Sequence, residues 1–302
     1  MNKLTDLNPF VKSLYVFMLL LVVSPTILFG QAKENAFERD LKIKLDSLRK
    51  EKEVGLAFTG ILLPNNAVAS VMTPTGWGGG NTTYLYFVAG AVFPVEYATT
   101  NRGDMITAVG LSFGDSRKYV NASVSVNMGR VDDFRDFSGN IIISKQVFRA
   151  SSISVGGIQL FASAAVSDAP DPTFYVAFSH SVQTVTSKSS GHSALGYTIG
   201  IGNGRFLYKS PLDLASGKGR YGTGVFANVS YELFRNVNIN AEWSGLNLGI
   251  SSGIRPFNKL PLTVGYGVYN LTRNSGDRVS FLGTVAYPFI LDKKNKQVKS
   301  KI

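Results

Sequence analysis

The chain has 302 residues, of which 44% are hydrophobic and only 17% charged, with 31 glycines, 11 prolines, a net charge of +11 and a mean hydropathy of +0.08. The lack of any cysteine excludes a disulfide framework, a thiolate metal site, a cysteine nucleophile and a lipid-bearing cysteine, and two histidines leave little for a histidine-rich metal centre. The hydropathy is high for a soluble protein but too evenly spread for a bundle of membrane helices, each of which needs about 20 continuous apolar residues.

The chain opens with Lys3 and Lys12 ahead of the apolar run Val16–Val23, which continues to Phe29 and is followed by the small residues Gly30 and Ala32. A charged start, a short apolar core and a small-residue cleavage site predict a secretory signal peptide over 1–32, and Pro25 interrupts the run before it reaches the length of a membrane anchor. Residues 33–53 hold seven basic and six acidic side chains, with Phe37, Leu41, Leu45 and Leu48 at helical spacing. That pattern predicts one short amphipathic helix, on the periplasmic side, which docks on a partner, plugs a lumen or is simply solvated with a narrow apolar stripe. The end of the chain, 291–302, carries five lysines and reads as a basic tail.

Between them, 54–290 is poor in charge and alternates strictly. Val120, Ala122, Val124 and Val126 alternate with Asn121, Ser123, Ser125 and Asn127; Val237, Ile239, Ala241 and Trp243 alternate with Asn238, Asn240, Glu242 and Ser244. Leu262, Val264, Tyr266 and Val268 do the same against Thr263, Gly265 and Gly267. A period of two means strands with one greasy and one polar face. A soluble sheet would show Lys and Glu on its polar face; here that face is Gly, Ser, Asn and Thr, which with aromatic residues near strand ends marks a transmembrane β-barrel. The predicted strands are 82–93, 104–113, 118–128, 139–149, 152–164, 173–184, 193–202, 222–234, 237–244, 246–255, 260–270 and 278–289. A hairpin in 56–73 adds two more if it joins the wall. The expectation is therefore an all-β protein, a transmembrane antiparallel β-barrel of about 12 strands, with 10–14 compatible, preceded by a short N-terminal helix. Aromatic belts are expected from Tyr84, Phe93, Phe113, Tyr231, Trp243, Tyr266, Tyr287 and Phe289.

The leader, the alternating strands and a last strand ending in VAYPF resemble Gram-negative outer-membrane β-barrel proteins. The stretches PTGWG (74–78), GLSFGDSRKYV (110–120), GNGRF (202–206), EWSGLNLGIS (242–251), RPFNKLPL (255–262) and GDRVSFLGTVAYPF (276–289) are similar to an uncharacterised family of bacterial surface barrels within that class. In the class at large the terminal aromatic is the last residue, whereas thirteen residues follow Phe289. The resemblance implies the cell outer membrane as location, reached through the secretory pathway, with outer-membrane lipid and the barrel-assembly machinery as partners, a homo-oligomer or surface assembly beyond them, and no nucleic acid.

Few residues carry chemistry. Glu232, Glu242 and Lys145 are the charges placed near mid-strand and are expected to face the lumen, because charge at membrane depth is costly elsewhere. They would form either a selectivity ring or an internal ion-pair network. GIGNGR (200–205) lacks the Gly-Lys-Ser/Thr of a phosphate loop, and the cluster Arg130, Asp132, Asp133, Arg135 and Asp136 reads as a salt-bridging loop rather than a calcium site. No metal or cofactor is expected. A lipid hydrolase or acyltransferase embedded in the wall would need a His beside a Ser, so His180 with Ser179 or Ser181, and His192 with Ser193, are its candidates. Neighbours on a strand face opposite sides, which argues against these pairs. The leading expectation is a non-enzymatic passive pore for small solutes, or the wall of a surface assembly; the alternatives are that lipid enzyme and a secreted soluble β-sandwich.

Overall fold

A computed structural model describes residues 61–95, 101–131, 134–162 and 172–291. The expected signal peptide, the amphipathic helix of 33–53 and the tail beyond Leu291 lie outside the described residues. Twelve strands form the wall: β1 (Tyr84–Phe93), β2 (Asp104–Gly114), β3 (Asn121–Arg130), β4 (Arg135–Phe148), β5 (Ser151–Leu160), β6 (Thr173–Ser181), β7 (Leu195–Gly202), β8 (Val225–Phe234), β9 (Val237–Trp243), β10 (Leu248–Ile254), β11 (Thr263–Tyr269) and β12 (Ser280–Ile290). Each pairs antiparallel with the next in sequence, and β12 closes on β1 in a ten-residue register from Phe281↔Phe93 to Ile290↔Tyr84. Closure leaves no unpaired edge, the condition for a sheet to cross a bilayer. The single closed sheet also excludes the soluble sandwich, which requires two.

The alternation sorts side chains as the composition requires. Val229 is 51% exposed and its neighbour Ser230 only 5%; around the wall Val109, Val126, Ile199, Ile250 and Phe281 all face outward. The inward residues are Ser, Asn, Thr and Gly, with Ser112, Ser144, Ser154, Ser179, Asn238 and Asn240 buried. An apolar surface running round the whole molecule is a lipid-facing belt rather than a soluble surface. Phe93, Phe113, Tyr231, Tyr266 and Phe289 stand outward as expected, and Tyr287 packs on Phe289 with centroids 4.7 Å apart. Tyr84 does not join the belt: it shares inward parity with Tyr86, whose hydroxyl bonds Ser123 Oγ at 2.9 Å.

The two ends of the barrel differ. Two-residue turns at 149–150 and 235–236 lie at the end where β1 starts and β12 finishes, while the long connections 203–224, 161–172 and 270–279 lie at the other. Short turns mark the periplasmic end and long loops the outside. In the outer loops a 3-10 turn at Gly204–Phe206 and a five-residue helix, α1 (Pro211–Ala215), fold over the mouth. The expected tight turn at Ser244-Gly245 is real, with Gly245 at φ 90°, a conformation costly for other residues.

The hairpin expected in 56–73 does not enter the wall. Its described part contributes only Leu63 and Pro64, paired in parallel with His192 and Ser193 of the periplasmic 182–194 loop. From there the chain climbs inside the barrel, turns at Ser70–Thr73 and descends through Pro74–Gly78 to β1. Its Asn65 Nδ2 bonds Asn238 Oδ1 at 2.8 Å on β9 near the periplasmic mouth, and the backbone N–H of Gly76 bonds Ser179 Oγ at 2.7 Å on β6, three strands away round the wall. Wall glycines accommodate it: Val68 lies against Gly253, Met72 against Gly249 and Val71 against Gly265, where a Cβ would collide. Small lumen residues, unexplained by a water-filled pore, are thus the space for an internal segment.

This filling changes what a substitution on each face does. Val229→Arg puts a guanidinium into lipid near mid-membrane at a cost of about 2–4 kcal/mol, lowering the folded fraction seen by heat-modifiable gel mobility. Ser230→Arg keeps the lipid face intact and instead collides with the internal segment, so it retains the folded band but exposes residues 61–83 to protease. Equal behaviour of the two variants would contradict the assignment of faces.

Candidate functional site

The outer half of the lumen is organised by Glu242, which β9 presents inward and which is fully buried. Its carboxylate accepts six hydrogen bonds. Oε1 takes the Val71 N–H at 3.0 Å and Ser251 Oγ at 2.5 Å; Oε2 takes the N–H groups of Met72 and Thr73 at 3.0 Å each, Ser70 Oγ at 2.5 Å and Thr73 Oγ1 at 3.2 Å. Three successive backbone N–H groups converge on one anion, so the turn 70–73 is a nest whose occupant is a side chain of the wall. The geometry explains how a carboxylate survives at membrane depth: its charge is met by donors on both oxygens. Among the described residues no cation pairs with it.

Glu232 is also inward and 3% exposed, near the periplasmic end. It accepts from the backbone N–H of Lys188 at 2.9 Å and, at 3.4 Å, from that of Asn236. Both acids project inward, and among the described residues neither joins an ion-pair network: Glu242 fixes the internal segment and Glu232 fixes the 182–194 loop. Lys145 corrects the third expectation. It shares parity with Ile141 and Ile143, stands outward and exposed, and bends toward the periplasmic rim, donating to Tyr119 O at 2.6 Å. A lysine on the lipid face near a strand end keeps its ammonium in the interface by this reach.

A cavity of about 20 Å³ lies between Trp77, Ala69, Asn228 and Ser181, room for about one water. Toward the outside, Tyr175, Phe206 and Phe226 form a buried cluster, with the Phe206 and Phe226 centroids 4.4 Å apart. Above it α1 is pinned by Asp213, 2% exposed, which closes a capping box with Ser210 and accepts from Ser275 Oγ at 2.5 Å and the Gly276 N–H at 2.8 Å. Lys218 bridges Asp213 at 3.5 Å and Asp277 at 2.5 Å. Asn247, buried below, donates to Asn270 Oδ1 and Ser275 O. The loops 203–224, 244–247 and 270–279 are thereby fastened together over the outer mouth.

The histidines are not brought to the serines beside them. Ser179 Oγ faces the lumen and contacts Thr198 Oγ1 at 2.6 Å, while Ser193 Oγ donates to backbone carbonyls. His192 Nδ1 contacts Ser190 O at 2.8 Å in the periplasmic loop. His180 instead meets Ser151, its register partner across β5 and β6, with Nδ1 2.8 Å from Oγ. That pair lies on the outward parity near the periplasmic rim, beside the Tyr197 ring. No sequence signal singles out Ser151, because its partner is set by strand register. Among the described residues Nε2 of His180 has no hydrogen-bond partner, and Ser151 is only 4% exposed. Of the cluster at 130–136, Asp132 and Asp133 lie outside the described residues.

Closure, an apolar outer belt, aromatic girdles and the asymmetry of turns and loops decide the class. The chain is a transmembrane β-barrel of the outer-membrane type. No family model matches the chain, and no curated protein does. Among solved structures it is similar to the KdgM porin in complex with disordered oligogalacturonate, at 11% identity over 68% of this chain and 99% of that one, with a TM-score of 0.37. It is similar also to outer membrane phospholipase A from Escherichia coli, at 11% identity over 69% and 92% of the two chains, with a TM-score of 0.36. OprG from Pseudomonas aeruginosa matches at 9% identity over 72% of this chain and 97% of that one, with a TM-score of 0.15. Likenesses this low carry neither substrate nor chemistry across.

The lid over the outer mouth is pH-dependent in a defined direction. Burial alone would raise the Asp213 carboxyl, but the hydrogen bonds from Ser275, Gly276 and Ser210 and the charge of Lys218 outweigh it and hold it below the ordinary 3.8. A depressed carboxyl stabilises the docked form above its unfolded value, and that contribution is lost as pH falls through the folded value. Lys218, held protonated by Asp277 and Asp213 above its ordinary 10.5, stays charged throughout. Amide deuterium uptake, corrected for intrinsic rates, should rise at 213–218 and 275–276 between about pH 6 and about pH 3, and Asp213→Asn should show the same rise at neutral pH. Corrected uptake indifferent to both changes would remove Asp213 as the fastening group.

Proposed function

We propose that this chain serves in the outer membrane as a closed wall element of a surface assembly, not as a passive pore for small solutes. The observation that carries this reading is the seating of residues 70–73 on Glu242, which puts the chain's own backbone where solute would pass. Support comes from the outer mouth, where the fastened loops present a formed surface. The barrel-assembly machinery would fold such a chain, and partners would meet it at the two rims and along the lipid belt, a second copy among them.

Conductance tests it. In planar bilayers the full chain should show no steady current above that of the bare membrane. Glu242→Ala removes the acceptor of the Val71 and Met72 N–H groups and leaves that of Thr73 only Ser70 Oγ, at about 1–3 kcal/mol for each group left unpaired, and should produce intermittent channel openings while the folded band is retained on gels. Steady, porin-like conductance from the parent chain would contradict the closed reading.

A second reading, a lipid hydrolase in the wall, is favoured by one observation, the Ser151–His180 contact on the lipid-facing side. In it Ser151 Oγ would attack an ester carbonyl as its proton passes to His180 Nδ1, the alkoxide would leave with that proton, and water would release the acyl group. Phospholipid turnover by the purified chain, abolished by Ser151→Ala, would support it; no turnover by the parent chain would dispose of it.

A further inference from the structure

The periplasmic mouth contains a recess of about 290 Å³ that neither function reading uses. Arg235, from the β8–β9 turn, and Arg255, at the end of β10, line it together with Asn258, Ser189, Ser190 and Asn66 of the internal segment. The β8–β9 turn and the 255–262 turn are tied by the Arg255 N–H bond to Asn236 O at 2.9 Å and by Asn236 Nδ2 to Asn258 Oδ1 at 2.7 Å, so the two arginines come from adjoining, mutually braced turns. Neither guanidinium has a carboxylate partner among the described residues. Arg255 Nε is buried with no acceptor, and its Nη2 reaches only Asn258 O at 3.5 Å.

The surroundings do not neutralise this charge. Glu232, on β8, is buried and turned to the N–H groups of Lys188 and Asn236, and does not line the recess. The Lys188 ammonium is engaged with Leu233 O at 3.0 Å and lies over the Phe234 ring at 5.4 Å. The Asn258 amide nitrogen, the hydroxyls of Ser189 and Ser190 and the Asn66 amide add neutral donors around two positive forks. A planar carboxylate would use few of these donors. A tetrahedral phosphate, mono- or diester, presents anionic oxygens in several directions and matches guanidinium groups bidentately.

We propose that this recess is a binding site for a phosphate group, carried by a free phosphate ester or by the headgroup of an inner-leaflet phospholipid. The volume exceeds that of phosphate alone, which leaves room for the ester's organic part. Because Asn66 belongs to the internal segment while Ser189 and Ser190 belong to the loop that pairs with its entry, a bound phosphate joins the segment to the wall at the periplasmic mouth. The site stands whether or not the barrel conducts, since it is built from turns outside the membrane.

The test uses the full chain. In detergent, inorganic phosphate and glycerol 3-phosphate are titrated calorimetrically at constant ionic strength against chloride, for the parent chain, Arg255→Lys and Arg235→Gln/Arg255→Gln. In parallel, phospholipid retained through purification is counted by native mass spectrometry, and gel mobility checks that each variant is folded. Binding of either soluble probe, weakened about tenfold or more by the double substitution and less by Arg255→Lys, supports the site with a free ester as its source. No soluble binding, but phospholipid retained by the parent and lost in the double variant, supports it with a headgroup as its source. Absence of both, or binding that the folded double variant keeps unchanged, overturns it.

Discussion

A carboxylate buried at membrane depth must be given hydrogen-bond donors or be neutralised, and in this barrel the donors come from a segment that is not part of the wall. Glu242 sits in the outer half of the lumen, opposite Asn228 in the β8–β9 register, and its two oxygens gather the backbone of 71–73 and the hydroxyls of Ser70, Thr73 and Ser251. The turn is thereby fixed in height, and the arms either side of it inherit their paths. The glycines at 249, 253 and 265 then make sense as places where the wall admits another backbone, which a hydrated lumen would not demand.

The two mouths are handled by different physics. Outside, aromatic packing beneath and a charged, hydrogen-bonded fastening above bind three loops to one another, with Phe206 inserted below and Asp213 pinned above. At the periplasmic side the contacts are amide to amide, as where Gln183 brackets Leu62 by accepting from its N–H at 2.9 Å and donating to its carbonyl at 2.8 Å. Polar clamps of this kind exchange with water at low cost, whereas the aromatic cluster must be dismantled as a unit. The periplasmic end of the segment is accordingly the end from which it would loosen first.

The wall was legible in the sequence because lipid on one side and a small-residue interior on the other impose a strict period of two, and each of the twelve alternating stretches became a strand. Lys145 was misplaced although its own strand held the answer: it shares parity with Ile141 and Ile143, and in a strand parity decides the face while charge decides only how the side chain bends afterward. The segment 61–83 was harder to read. Val68, Val71 and Met72 look like wall residues because an apolar side chain packed against lumen glycines reads in sequence like one turned to lipid. The partners of Glu232 and Glu242 are backbone N–H groups more than 40 residues away or set by a local turn, and no spacing in the sequence reveals them. The same holds for Ser151 and His180, joined only by the β5–β6 register.

The central claim is that residues 65–78 pass through the lumen of the folded barrel, and a cross-link addresses it directly. The chain contains no cysteine, so Asn65→Cys with Asn238→Cys introduces the only thiols, at positions whose amides are in contact. In folded, membrane-inserted protein the account predicts a disulfide between them under mild oxidation, seen as a reduction-sensitive peptide linking the segment to β9 by mass spectrometry. A control pairing Asn65→Cys with outward-facing Ile239→Cys should form none. If the 65–238 pair stays reduced, or links no more readily than the control, the segment does not lie inside the barrel.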